Sequence, residues 1–235
     1  MRSHRNSLRN RFLMAIPPEI LARLSAQLER VALQRRAILI EPGVSPSQLY
    51  FLDYGLVSLV KTMSDGRTAE VGTVGPEGMV GVAVLVGMTQ PMIEAQVQVD
   101  GWAHCLRTAT LIAEVEQSLP LRQLVLRYLR YEIDLAAQRA ACNRLHTLRQ
   151  RCCRWLLAAQ DSAETPTFTV THEFLGLMMG VNRARLSTIL RALQQAGLIS
   201  YRYASLTIVD RAALEEGSCE CYETLRREAD RIYPS

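Results

Sequence analysis

Long hydrophobic runs are missing from this 235-residue sequence. The longest apolar stretch, residues 79–88, is ten residues long and is broken by Gly81 and Gly87. A membrane-spanning helix needs about 20 apolar residues, so none is expected, nor is a membrane partner. Arg2, Arg5, Arg9 and Arg11 open the chain with no long apolar segment behind them, so no secretory signal is expected and the expected location is the cytoplasm. Histidine is scarce: His4, His104, His146 and His172 are scattered, and none stands in a nucleophile or metal arrangement. The expectation is therefore no catalytic residue, no metal and no cofactor.

Six cysteines do not make a disulfide framework in a chain of this size, and reduced thiols fit a cytosolic protein. Cys152-Cys153 and Cys219-x-Cys221 are the candidates for redox or metal chemistry. Adjacent cysteines do not easily share one tetrahedral ion, and no histidine lies at ligand spacing near either pair. Cys152 also falls on an apolar helical stripe, where a thiol behaves as a small hydrophobe. Structural cysteines are expected, with a redox role as the alternative.

A strong excess of one charge is also absent. The net charge of +4 permits a nucleic-acid partner without demanding one. Its distribution says more. Residues 1–11 carry four arginines and no acid, and residues 122–154 carry eight arginines against Glu132 and Asp134. A solvated face is the plain alternative for each run.

What is present falls into regions. Residues 31–39, 49–52, 56–62, 69–74 and 95–99 are rich in Val, Leu, Tyr and Thr and predict short strands. Glu41-Pro42-Gly43 and Asp65-Gly66 sit between them, and Asp-Gly between two such runs is a hairpin signal because that turn needs positive φ. Residues 18–28 predict a short helix before the strands. Residues 120–160 lack glycine and, after Pro120, proline. There Leu126, Leu129, Ile133, Ala136 and Ala140 follow a three–four spacing, a narrow seam suited to self-association or to packing on the chain's own domain. A second helix is predicted from near Asn143, with Leu145, Leu148, Cys152, Trp155, Leu156 and Ala159 facing a core.

Residues 171–198 are the most informative. Thr171 can cap a helix running to Met179, and Asn182 can cap a second helix over 183–196, with Gly197 as its stop. Two helices joined by a tight turn need a small residue at the crossing, here Gly176, and a left-handed residue in the turn, here Gly180. Leu175, Met179, Val181, Leu186 and Ile189 supply the shared core. Together these match a helix-turn-helix. The outer face of the second helix then reads Asn182, Arg183, Ala184, Arg185, Ser187, Thr188 and Arg191. Arginine can pair with guanine and asparagine with adenine in the major groove. Residues 198–209 read as two strands around a tip, a wing with Arg202 beside the DNA backbone.

On these motifs the chain resembles the Crp/Fnr family of bacterial regulators over roughly residues 11–212. The match is most specific from Thr171-His172-Glu173-Phe174-Leu175 to Gly197-Leu198-Ile199. In the first half, Glu41-Pro42-Gly43, Tyr50-Phe51-Leu52 with Gly55, and Gly75-Pro76-Glu77-Gly78 resemble the family's cyclic-nucleotide-binding-like β-roll. The resemblance implies an α+β fold: a β-roll over 11–119, a dimerisation helix over 120–142, a winged helix-turn-helix over 143–212 and a helical tail over 213–235. It implies a homodimeric transcription regulator reading double-stranded, roughly palindromic DNA, with RNA polymerase as a further partner. Thr171 and Arg202 match phosphate-contacting positions of the family, and Asn182, Arg183 and Arg185 match its recognition positions. The family often has Glu after Arg183, where this chain has Ala184, so a familiar operator does not carry over.

The first half departs further. Nucleotide-binding members use a Gly-Glu pair for the ribose and Arg followed by Ser or Thr for the cyclic phosphate. The nearest matches here are Gly81-Val82 and Glu94-Ala95, and no arginine occurs between Arg67 and Arg107. Cyclic AMP is therefore not the expected effector, and the effector is left open. Iron–sulfur members carry an N-terminal cysteine cluster, whereas the first cysteine here is Cys105.

Overall fold

The first turn of chain is anchored before any strand begins. Asn10 is fully buried and caps helix α1 (Arg11–Met14) by accepting from the Leu13 amide at 3.0 Å. Its amide nitrogen donates to the carbonyls of Leu52 and Gly78, tying the entry to the strands. Helix α2 (Pro18–Ser25) follows, with proline in its first turn, where a missing N–H costs nothing. The computed structural model describes residues 8–163 and 165–233, so the expected arginine arm at Arg2 and Arg5, and His4, lie outside the described residues.

Six strands then build the roll: β1 (Glu29–Leu33), β2 (Ile38–Ile40), β3 (Gln48–Thr62), β4 (Thr68–Val74), β5 (Met79–Val80) and β6 (Glu94–Arg107). They form one sheet in the order β1-β6-β3-β4, with β2 pairing β6 and β5 pairing β3, all antiparallel. The segment predicted as one strand over 31–39 is two strands, because Arg36 takes a positive φ of 73° between them. Residues 49–52 and 56–62, predicted as two strands, are one long strand. It continues through register shifts at Tyr54 and Leu56, where Gly55 at φ +99° lies so near β6 that a Cβ would meet the Val99 carbonyl at 2.8 Å. Such shifts bend and twist a strand without ending it.

Helix α3 (Thr108–Gln117) leads to α4 (Leu119–Leu145), which Ser118 caps by accepting from the Leu121 amide. Leu121, Leu124, Val125, Tyr128, Tyr131 and Leu135 bury one face of α4 in a core shared with α1, α2, Phe51 and Met79. The Tyr128 hydroxyl receives the Met79 amide and donates to Glu132, and a Cβ at Gly78 would collide with it. This explains the glycine at the end of Gly75-Pro76-Glu77-Gly78.

The second helix, expected from near Asn143, begins at Leu148. Helix α4 runs to Leu145, and α5 (Leu148–Ser162) begins behind a capping box in which Thr147 and Gln150 satisfy each other's backbone amides. Strand β7 (Thr167–Thr169), helices α6 (His172–Met179) and α7 (Arg183–Gln195), strands β8 (Ile199–Arg202) and β9 (Ser205–Ile208), and helices α8 (Arg211–Glu216) and α9 (Cys221–Ile232) complete the chain.

The two halves share a core. Trp155, Leu156 and Leu157 of α5 pack with Leu56, Val60 and Val99 of the roll. The Trp155 indole donates to Glu70 of β4 at 3.2 Å, and the Ser58 hydroxyl donates to the same carboxylate, whose pKa burial pushes up. The tail is not separate either: Tyr222 joins the winged-helix core and Ala229 the core under α4.

Candidate nucleic-acid interface

The helix pair α6–α7 is set by three local devices. Thr171 caps α6 by accepting from the Phe174 amide at 3.2 Å. At the crossing, a Cβ on Gly176 would stand 2.9 Å from the Val181 carbonyl, so only glycine lets the chains approach this closely. Gly180 takes φ +67° in the turn, and Asn182 caps α7 by accepting from the Arg185 amide at 2.9 Å. Leu175, Met178, Met179, Leu186, Leu190 and Leu193 are buried beneath, with Val181 and Ile189 half-buried.

The outer face of α7 presents Asn182, Arg183, Ala184, Arg185, Thr188 and Arg191, all exposed, and the helix contains no acid. Two of the expected contact residues are partly committed within the protein. The Asn182 side-chain oxygen accepts the cap bond from the Arg185 amide, which leaves its amide donors and the oxygen's second lone pair for a partner. Ser187 is half-buried: its hydroxyl donates to the Arg183 carbonyl at 2.8 Å and lies 2.7 Å from Nδ1 of His172. With that proton spent, Ser187 accepts from Nδ1–H and locks α7 onto α6.

His172 went unassigned in the sequence because nothing in its spacing marks it. It stacks on Tyr201 with centroids 4.6 Å apart, and its Nε2 is buried without a hydrogen-bond partner. Burial first, and then the charges of Arg183 and Arg191, lower its pKa. The site thus sets a half-buried imidazole, its charged form disfavoured, beneath a cationic helix.

Strands β7, β9 and β8 form the wing, in that order. Arg202 pairs with Ser205 across a two-residue tip, Tyr203-Ala204, in which both residues have positive φ. Tyr203 is 90% exposed, and the Arg202 guanidinium sits over its ring at 5.2 Å. The tip is therefore a strained turn carrying a cation and an aromatic face.

Two other predicted sets can be placed. Leu126, Ile133, Ala136 and Ala140 are exposed on α4, away from the roll, and Leu129 is half-buried at the edge of the core. Within the roll, Ala95 is buried among Ile40, Leu52, Val74, Val80 and Val97. A Cβ on Gly81 would press on Leu49 and Ile40, and Val82 is buried beside it. Aliphatic side chains, not cations, fill these positions.

The cysteines divide. Cys152 and Cys153 lie in the core, where burial pushes both thiols up, Cys153 to about 11. Cys219 and Cys221 are brought beside Cys142 and His146. The signal was available: Cys142 and His146 stand four apart and so share a face of a helix end. Their partners lie far away in sequence, so spacing alone did not join them.

Fold and site define a winged helix-turn-helix DNA-binding protein with an N-terminal nucleotide-binding-like roll. A family model described as Crp-like helix-turn-helix domain matches residues 150–216, and one described as cyclic nucleotide-binding domain matches residues 30–118. The chain belongs to the Crp/Fnr family and is a DNA-binding transcription regulator. No curated protein sequence matches it. Among solved structures it is similar to FixK2 from Bradyrhizobium japonicum (15% identity, TM-score 0.67, covering 82% of this chain and 98% of that one). It is also similar to the CRP-family transcriptional regulator TTHB099 from Thermus thermophilus (24%, 0.66, 80% and 96%). A third likeness is CLP from Xanthomonas campestris, described as a c-di-GMP responsive global regulator (19%, 0.61, 82% and 99%). Among the described residues no helix is long and apolar enough to cross a membrane.

The lowered pKa of His172 gives a pH dependence with a definite sign. Below the ordinary histidine value of about 6.5 the unfolded chain takes up a proton that the folded chain resists, so stability falls as pH falls through that range. Thermal unfolding of wild type and His172→Gln between pH 8 and pH 5 should show a steeper loss for wild type. Parallel curves would mean that His172 titrates normally.

Proposed function

We propose that the protein acts as a homodimer that sets two α7 helices in successive major grooves of a roughly palindromic operator, and that it works in the cytoplasm with RNA polymerase as a further partner and no catalysis of its own. The observation that carries this is the acid-free outer face of α7, with Arg183, Arg185 and Arg191 exposed beside a cationic wing. Arg183 and Arg185 read base edges. Thr188 and the amide donors of Asn182 flank them, and Thr171 and Arg202 hold phosphates. Ser187 contributes by positioning α7 rather than by touching DNA. The exposed face of Leu126, Ile133, Ala136 and Ala140 supports a dimer seam, because leaving Leu126 and Ile133 53% and 69% exposed forgoes apolar burial that a second copy would supply.

The effector is not cyclic AMP. A buried cyclic phosphate wants a planar guanidinium, and the positions available hold Val82, Glu94 and Ala95. Leaving such groups unpaired costs roughly 1–3 kcal/mol each.

Operator binding measured against ionic strength separates the arginines. Arg183→Ala and Arg185→Ala should each lose roughly 1–3 kcal/mol of discrimination between operator variants. Arg202→Ala should weaken all sequences alike and reduce the salt slope by about one charge. Equal loss of discrimination in all three would show the roles to be misassigned. Sedimentation should find wild type dimeric at micromolar concentration and Leu129→Asp/Ile133→Asp monomeric, with operator affinity greatly reduced; a monomeric wild type would refute the seam. Calorimetric titration with cyclic AMP and cyclic GMP should give no saturable heat, and micromolar binding abolished by Gly81→Leu would overturn the argument about the roll.

A further inference from the structure

Helix α4 ends in an unusual group of side chains. Cys142 is buried in its last turn, and His146 is the residue that ends it. The link between α8 and α9 brings Cys219 and Cys221 against them, both buried. The three thiols form a buried cluster of their own, with no aliphatic side chain among them. One nitrogen and three sulfurs all lie within 4.8 Å of one another. Cys142 Sγ stands 3.6 Å from Cys219 Sγ, and Cys221 Sγ stands 3.6 Å from His146 Nδ1.

These separations decide between chemistries. A tetrahedral zinc site with bonds of about 2.3 Å to sulfur and 2.0–2.1 Å to nitrogen has ligand-to-ligand edges of roughly 3.5–3.8 Å. Both contacts match such an edge, and the remaining pairs lie within 4.8 Å. A disulfide needs sulfurs about 2.05 Å apart and would leave Cys221 and His146 unexplained. A polynuclear iron–sulfur cluster spreads its thiolates over several irons, wider than one tetrahedral edge.

The surrounding groups fit a metal as well. The other ring nitrogen of His146, Nε2, is 3.1 Å from the Glu220 carboxylate, so Nδ1 is the nitrogen left free to ligate. A carboxylate behind a ligating histidine fixes its tautomer and raises its basicity. The Gln138 amide donates to Cys221 Sγ at 3.0 Å, the kind of bond that stabilises a thiolate. The charges of Arg151 and Arg154 bear on Cys142 and offset the negative charge that three thiolates bring.

We propose that Cys142, His146, Cys219 and Cys221 bind one divalent cation of the zinc type, four-coordinate with no open position, clasping the end of α4 to the start of α9. Closed Cys₃His sites are structural rather than catalytic. The clasp sits where α4 gives way, through His146 and Thr147, to the helices that carry the winged helix. Metal occupancy therefore stiffens the joint between the long helix and the DNA-binding half.

The test uses the full chain, reduced, stripped with a chelator and titrated with Co²⁺ under anaerobic conditions. One equivalent should produce the intense visible bands of tetrahedral cobalt together with a thiolate-to-metal charge-transfer band, and Zn²⁺ should displace it. Zinc should raise the melting temperature of the stripped protein. Cys142→Ser is buried and can fail to fold, so the partly exposed His146→Ala and exposed Glu220→Gln are the working variants. His146→Ala should lose at least tenfold in affinity, and Glu220→Gln about 10–100-fold. Cys105→Ala, outside the cluster, should titrate like wild type. A weak, octahedral cobalt spectrum in wild type, or wild-type affinity in His146→Ala, would overturn the proposal.

Discussion

Helix α4 has two apolar faces and only one of them is covered. Tyr128, Tyr131, Leu124 and Leu135 are pressed into the roll, while Leu126 and Ile133 on the other side meet solvent. Burying side chains of that size is worth about 1.5–3 kcal/mol each, so a second copy of the same face is the natural cover. Almost every other placement follows from this helix. Its N-terminal half holds the roll through Tyr128 and Gly78. Its C-terminus sets the direction of α5, whose Trp155 reaches back to Glu70 and joins the two halves.

The DNA-binding face depends on close packing just as strictly. Three exposed arginines on one short helix repel one another, and the helix stays in place because its other side is fixed by Leu186, Leu190 and Leu193. The approach of the Val181 carbonyl to Gly176 sets the crossing. The His172–Ser187 contact adds a polar lock between α6 and α7, and the burial and neighbouring arginines that lower the pKa of His172 belong to the same site. Asn182 shows how tightly the surface is used: the same exposed side chain caps α7 and stands on its outer face.

The helix-turn-helix was legible in the sequence because its requirements are local. Gly176, Gly180, Thr171 and Asn182 each answer a backbone need within a few residues, and the structure places all four as that logic demands. The roll was legible in class but not in its divisions. A register shift at Gly55 looks like a strand end in one dimension, and the positive φ at Arg36 has no sequence mark. The Cys₃His cluster was hidden for a different reason. Its two halves come from the end of one helix and the start of another, and only the docking of α9 on α4 unites them. The internal partner of Ser187 was not legible either, because His172 lies on the preceding helix.

If the uncovered face of α4 is the dimer axis, the DNA must carry the same symmetry, because two identical recognition helices can meet successive major grooves only about 34 Å apart. Repeated selection of bound duplexes from a random pool, followed by sequencing and by the binding stoichiometry of the winning site, measures that directly. The account predicts an inverted repeat with half-sites about one helical turn apart, centre to centre, occupied by two chains. A single unrepeated motif bound at full affinity by one chain would contradict it.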